Sequence, residues 1–490
     1  MNIQEPTIRD AVDAVDAVKN AIRSIQDGAG SDPIYTYLYL VATVLFILGL
    51  KRLSKVRTAR SGNQLAGAGM LLAIVTALAE TPHVSGWMIA VGLIIGGIGG
   101  GFLARWVQMT QMPEMVAAFN GLGGGASMFV GMAFLAKTDP GGMSMAQAVT
   151  VPLSLLIGAA TLTGSGVAYF KLGGKKFKHP LSGGARHVAH GAIVLLIILC
   201  SVWLAQAESG ASMAMAAIGI ALLSGTLGVL LVFPIGGADM PVVVALLNSY
   251  SGIAAAASGF VIDNLLLVVA GALVGASGLI LTRIMCKAMN RSLGNVLLGG
   301  IGDDALAEDA REYKNIKETS ADEVAMLFDG ATSVIIVPGY GLAVAQAQHV
   351  TRELGEELEK RDVQVRYAIH PVAGRMPGHM NVLLAEADVP YDRLFELEKI
   401  NGDFSNTDVV LVLGANDVVN PAAREDTDSP IYGMPILDVD FAQTVVVVKR
   451  SLSPGYAGIR NPLFDKDNTL MFFADAKAAL QEMVTEVKEL

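Results

Sequence analysis

Three groups of residues in this sequence could do chemistry. The first is Gly339-Tyr340-Gly341, which follows the β-branched run at 332–337 and Pro338, and leads into Leu342-Ala343-Val344-Ala345-Gln346. A strand passing through two close glycines into a helix is the context of a dinucleotide fingerprint. Gly339 permits a tight turn, Gly341 lets backbone approach a pyrophosphate, and the opening N–H groups of the helix favour its charge. The third glycine position is Val344, so the fingerprint is incomplete, and a plain strand–turn–helix would use the same residues. The second group is Lys449-Arg450-Ser451, at the end of another β-branched run. Two cations and a hydroxyl at a strand's carboxyl edge suit a phosphate dianion; the alternative is a solvated basic pair. An NAD site usually ends its second strand in Asp or Glu, but here that strand ends Ala368-Ile369-His370-Pro371, which favours NADP(H).

The third group consists of polar residues inside apolar segments: Asn120, the cluster Asn248-Ser249-Tyr250-Ser251, and Asp239 beside Gly236 and Gly237. A polar group in lipid raises the free energy, which makes it a functional candidate. Asparagine can equally bond one helix to another. Asp239 could link a membrane path to a soluble domain or merely cap a helix. No H-E-x-x-H or comparable ligand pair occurs among the seven histidines, so no metal is expected. Cys200 and Cys286 read as two inert thiols.

The elements that carry these groups are of two kinds. The chain is 52% hydrophobic and 16% charged, against roughly a quarter charged in soluble domains, and its mean hydropathy is +0.50. Nine apolar segments, 34–50, 62–79, 86–104, 115–135, 147–170, 187–206, 213–233, 240–260 and 262–285, are long enough for a bilayer core. The narrowest division among them is the turn at 260–262. Basic loops (Lys51 to Arg60, Arg105, Lys171 to Arg186, Arg283 to Arg291) alternate with neutral or acidic ones. The positive-inside rule then puts the N-terminus outside the cytoplasm and the C-terminal part inside it. Glycines four apart, such as Gly92, Gly96 and Gly97 with Gly101, Gly121 with Gly125, and Gly271 with Gly275, predict close helix packing.

Residues 1–33 are polar, with apolar positions at helical spacing and no h-region of a secretory signal. They read as an amphipathic helix or a disordered leader.

After a linker at 286–330, residues 331–490 alternate strands and helices. Strands are expected at 332–337, 363–369, 381–385, 408–413, 435–439 and 444–449, and helices at 342–360, 390–400 and 474–490. Such runs predict a Rossmann-like parallel sheet covered on both faces. Residues 286–490 hold 33 acids and 19 bases, a balance that repels nucleic acid. The fold class is thus a polytopic α-helical membrane domain over 34–285 plus a C-terminal α/β domain.

The long motifs then identify a family. GYGLAVAQAQ at 339–348, HPVAGRMPGHMNVLLAEA at 370–387, GANDVVNPAA at 414–423 and KRS…GYAG at 449–458 resemble the NADP(H) domain of proton-translocating nicotinamide nucleotide transhydrogenase. GGADMPVVV…LNSYSG at 236–252 and CKAMNRS at 286–292 resemble the membrane domain of its beta subunit. The resemblance covers the chain from about residue 34 onward. It implies reversible hydride transfer between NAD(H) and NADP(H), coupled to inward proton movement across the cell inner membrane. NADP(H) would be bound by this chain. No second dinucleotide fold is legible, so NAD(H) is expected on a partner alpha subunit, and the family forms a dimer of complete units.

By the same resemblance, Gly339, Tyr340, Gly341 and Val344 belong to the fingerprint turn, and Arg375 to a loop near the nucleotide. Gly414, Ala415, Asn416 and Asp417 form a motif whose Asp417 would sit by the nicotinamide and couple to protonation. Lys449 and Arg450 with Ser451 would hold the 2′-phosphate, and Tyr456 would lie on a covering loop. Asp239 and Asn248 match positions linked to the proton path. Some relatives have histidine where this chain has Asn120; asparagine does not titrate near neutral pH, which leaves water or a partner chain to supply the exchanging group. Two other functions fit the topology: an ion channel or transporter with a nucleotide-sensing domain, and an anchor for a partner enzyme. The first does not account for the Lys449-Arg450 pair or the long motifs, and absence of NADP(H) binding would favour the second.

Overall fold

The computed structural model describes residues 33–53, 56–80, 86–108, 111–175, 184–236, 239–290, 292–297, 313, 315–376, 378–455 and 457–490. The 1–33 segment, Pro33 apart, and much of the 286–330 linker lie outside the described residues.

Among them, nine helices are long and apolar enough to cross a membrane. They are α1 Pro33–Leu53, α2 Val56–Glu80, α3 Gly86–Trp106, α4 Met112–Lys137, α5 Met145–Leu172, α6 Gly184–Ala205, α7 Gly210–Val232, α8 Met240–Val261 and α9 Leu265–Ala288. Each coincides with an expected segment to within a few residues, and the tight 260–262 division is a turn in which Asp263 takes a positive φ of 51°.

The chain forms two compact units. The first comprises residues up to Phe102 together with Asn264–Ala270. In it α1 and α2 lie against each other through small residues: a Cβ added at Gly62 would come within 2.7 Å of the Leu53 nitrogen. Tyr39 on α1 donates to Glu80 on α2 at 2.9 Å. The glycines of α3 do not behave as expected. That helix buries no residue, and a Cβ at Gly92, Gly96, Gly97 or Gly101 would meet nothing within 4 Å.

The second unit holds Leu103–Asp263 and Gly271–Leu490. There the expected glycine packing is present. A Cβ at Gly124 on α4 would sit 2.8 Å from the Gly158 carbonyl of α5, and one at Gly252 on α8 would sit 2.4 Å from the Gly275 nitrogen of α9. Such close approach suits helices in lipid, where van der Waals contact rather than water expulsion drives association. Ser144 and Ser209 cap α5 and α7 with reciprocal capping boxes.

Beyond α10 Leu293–Leu297 and α11 Ala321–Asp329, the same unit continues as β1 Ser333–Pro338, α12 Tyr340–Ala345, α13 Gln348–Glu359, β2 Gln364–Ile369, α14 His379–Glu386, β3 Leu394–Glu396, α15 Leu397–Ile400, β4 Val409–Leu413, α16 Ala422–Glu425, β5 Thr444–Lys449, β6 Thr469–Phe473 and α17 Ala476–Glu489. The six strands are all parallel in the order β3-β2-β1-β4-β5-β6. Every residue of β1 and β4 is buried, because helices or loops cover both faces. One apolar core lies on each side of the sheet.

Five features of this domain differ from expectation. Residues 381–385 belong to α14 rather than to a strand. Its Met380, Leu383 and Leu384 are buried, and a short apolar run reads alike as strand or helix. Residues 435–439 bury Ile436, Leu437 and Val439 but form no strand: Leu437 N–H is taken by the Val418 carbonyl, and Pro435 has no N–H to give. The helix expected at 342–360 is two, broken at Gln346, whose φ is 51°. The 390–400 stretch contains the edge strand β3 instead of one helix, and β6 stands where no strand was expected.

Candidate functional site

In the order of this sheet the chain leaves β1 for β2 on one side and later adds β4 on the other, so the carboxyl ends of β1 and β4 flank a topological switch point. Ligands of open α/β sheets bind there. The two turns meet backbone to backbone. Gly339 N–H donates to the Leu413 carbonyl and Gly341 N–H to the Gly414 carbonyl, both at 2.9 Å. A Cβ on Gly341 would lie 2.6 Å from Gly414 Cα, and Gly414 has φ +64°. Only glycine fits this double turn, and the bare backbone opens a cleft of about 400 Å³.

The cleft gathers most of the residues singled out for nucleotide binding. Gly339, Tyr340, Gly341, Arg375, Gly414, Ala415, Asn416, Asp417, Lys449, Arg450 and Ser451 line it. Val344 does not; it is 42% exposed on α12 and away from the cleft. Tyr456 lies outside the described residues.

Lys449 leaves the end of β5 half-buried, with Nζ bonded to the Ser453 carbonyl and 5.3 Å from the centre of the Phe464 ring. Burial pushes its ammonium down to about 8, with the Asp417 charge pulling the other way. Arg450 and Ser451 are exposed, and Ser451 Oγ lies 2.9 Å from Ser453 Oγ. The Asp417 carboxylate accepts the Ala457 N–H at 3.0 Å. It also leaves room only for glycine at 455, where a Cβ would lie 2.4 Å from its Oδ1. Asp417 therefore underlies Gly455 and Ala457 on the Lys449 side of the cleft.

Opposite, the 370–376 loop is fixed by two histidines that sequence reasoning did not select. Val372 N–H donates to His370 Nδ1 at 3.2 Å. The other nitrogen, Nε2, therefore carries the proton and donates to the Pro435 carbonyl at 2.8 Å. Arg375 N–H donates to His379 Nδ1 at 3.1 Å. Burial pushes both rings down to about 4, His379 with help from the Arg375 charge, so both are neutral near pH 7. The Arg375 guanidinium lies 4.6 Å above the Tyr340 ring. The fully buried Asn461, also unselected, donates to Asn416 Oδ1 at 2.9 Å and holds the 414–417 turn. Contacts between residues 45 apart carry no local sequence signal.

The polar residues of the membrane helices form a separate group. Asn120 on α4 is buried and its amide donates to the Val244 carbonyl of α8 at 3.3 Å. Half-buried Asn248 stands one helical turn beyond Val244 on the same face. Asp239 is buried at the N-terminus of α8, and its side chain makes no capping bond there, so helix capping does not explain it.

A family model described as NAD(P) transhydrogenase beta subunit matches residues 35–486. The chain belongs to that family. A curated relative named NAD(P) transhydrogenase subunit beta, from Rhodospirillum rubrum, is 49% identical over 456 residues, covering 91% of this chain and 97% of the relative. The same protein from a designated strain of that organism matches equally. Membership in the transhydrogenase beta family joins the two groups of residues: a dinucleotide-type cleft and a helical membrane part in one subunit, named as a beta that implies an alpha.

Proposed function

We propose that this chain binds NADP(H) in the switch-point cleft and couples hydride exchange with NAD(H), held on an alpha subunit, to inward proton translocation through its membrane helices. The observation that carries this reading is the pairing of the glycine double turn with Lys449 and Arg450 on one cleft, while β2 ends in the buried neutral His370 instead of an acid. The fit to the cofactor is good. Gly339, Gly341 and Gly414 leave backbone open to a pyrophosphate, and Lys449, Arg450 and Ser451 offer two cations and a hydroxyl to a 2′-phosphate. Lys449 and Arg450, at the end of β5, would hold the 2′-phosphate on the other side of the switch point from the β2 end that binds ribose in NAD sites. Bound NADP(H) supplies the hydride acceptor or donor.

The chain's own residues bind it, orient it and respond to protons. Tyr340 and Arg375 close one side of the cleft, and Asp417 holds the Ala457 N–H on the other. In the membrane part Asp239 holds a proton at its carboxylate, while Asn120 and Asn248 orient water between α4 and α8. A proton moving inward supplies about 2.3 kcal/mol per 100 mV, or roughly 50-fold in the product ratio. For that energy to be used, protonation must change nucleotide affinity, since a ligand shifts an equilibrium only through differential affinity. The membrane part lies in the cell inner membrane with the C-terminal domain in the cytosol, and two complete units form a dimer.

Equilibrium titration of the purified chain with NADPH and NADH tests the site. Strong preference for NADPH, lost in Lys449→Met, is expected; equal affinity for the two would refute it.

A further inference from the structure

We infer that Lys171, on the last turn of α5, is a positioning residue that ties the turn carrying Asp239 to the Arg375 side chain on the nucleotide cleft. The inference rests on the proposed coupling and names the contacts that transmit it.

Lys171 Nζ donates to the carbonyls of Phe233 and Ile235, at 2.6 and 2.8 Å. These are the carbonyls just past the end of α7, where a cation is favoured. Asp239 N–H donates to the carbonyl of Gly236, the residue after Ile235, at 3.2 Å. One residue beyond Lys171, the Leu172 carbonyl accepts from Arg375 Nη1. The same guanidinium is 3.9 Å from Glu114 Oε1 on α4 and 4.6 Å from the Tyr340 ring in the fingerprint turn.

A second observation runs parallel to the polar one. Leu172, Ile235 and Met240 share one buried cluster, and Val372, which lines the nucleotide cleft, packs against it. Two adjacent residues at the end of α5 therefore touch both the Asp239 turn and the loop that walls the cleft. A displacement of Phe233 and Ile235 is transmitted through Lys171 to Leu172, and from there to Arg375 and Val372. Contiguous contacts of this kind carry coupling when both ends bias one element.

The charged and titratable groups facing this network among the described residues include Glu114 from α4, Lys171 from α5, Asp239 and Tyr250 from the start and middle of α8, Cys286 from α9, and Tyr340, Arg375 and His379 beside the cleft. The carbonyls of α7 bring no titratable side chain to it. A helix-capping lysine without this role would contribute stability alone.

The test uses the complex with its NAD(H)-binding partner, and reads NADPH dissociation constants between about pH 5.5 and 7.5, where Lys449 stays protonated. Wild type should change affinity by at least about 5-fold across this range, the lower end of usual coupling factors. Lys171→Met should reduce the change to under about 2-fold, and Lys171→Arg should restore it. Lys171→Gln keeps an amide donor for the carbonyls, and it decides the matter if the methionine variant does not assemble. A variant that lowers thermal stability but keeps the full pH response of wild type overturns the inference. A wild type whose affinity ignores pH overturns the coupling reading itself, a distinct outcome.

Discussion

Replacing Lys449 by arginine should remove a pH dependence that the wild type owes to one ammonium. Burial lowers this group to about 8, against 10.4 for a lysine in water. Below pH 8 the ammonium is charged and ready for a 2′-phosphate. Above it the free protein loses the proton, while a bound phosphate favours the charged form, so binding must take a proton up. The contribution of Lys449 to NADP(H) affinity is therefore constant well below pH 8 and falls above it by up to tenfold per unit. A hydrogen bond to a charged group is worth about 1.5–3 kcal/mol, which limits the total fall to about 10- to 150-fold. Folding stability without nucleotide moves the other way. The lysine pKa is depressed in the fold, so its destabilising effect is present below pH 8 and fades as pH rises from there to about 10.4. Arginine stays protonated throughout, and the break near pH 8 should vanish from the affinity profile of Lys449→Arg. Calorimetric or fluorescence titration with NADPH from about pH 6 to 10 reads both curves. A break that persists unchanged in the arginine variant would assign the titration to another group and refute the phosphate role of Lys449.

Further tests address the other parts of the account. Gly341→Ala places a methyl 2.6 Å from Gly414 Cα; overpacking of this kind costs about 1–3 kcal/mol, so a lower melting temperature and loss of NADP(H) binding are expected. His370→Ala leaves the Val372 N–H and the Pro435 carbonyl without their partner. It should weaken nucleotide binding and destabilise by about 1–3 kcal/mol, whereas the wild-type imidazole should show no titration between about pH 5 and 8 by NMR. Asp239→Asn should leave hydride exchange in place but make its rate independent of an imposed pH gradient, measured in reconstituted vesicles.

Much of this was legible in the sequence, and the exceptions have physical causes. The membrane helices were readable because lipid demands long apolar runs, and β1, β4 and β5 because a sheet covered on both faces shows near-continuous apolar, β-branched stretches. Residues 381–385 offered the same apolar pattern but lie in α14, where Gly378, with φ +71°, opens the helix. Strand β6 escaped notice because its Thr-Leu-Met-Phe-Phe sequence lacks β-branched aliphatic residues. In the site, the glycines and the Lys449-Arg450 pair stood out because local turn geometry and charge select them. His370, His379, Asn420 and Asn461 did not, since they act through hydrogen bonds that hold loops in place, most of them to residues distant in sequence. The glycines of α3 show the converse: their spacing is a packing signal, yet they have no neighbour among the described residues.

The central claim is that nucleotide exchange and proton movement are one process in this subunit and its partner. The direct measurement is the rate of hydride transfer from NADH to NADP⁺ by the co-purified complex in sealed vesicles, with and without an imposed proton gradient. An inward gradient should speed NADPH formation and shift its end point, and dissipation by an uncoupler should abolish both effects. A rate and end point indifferent to the gradient would contradict the account.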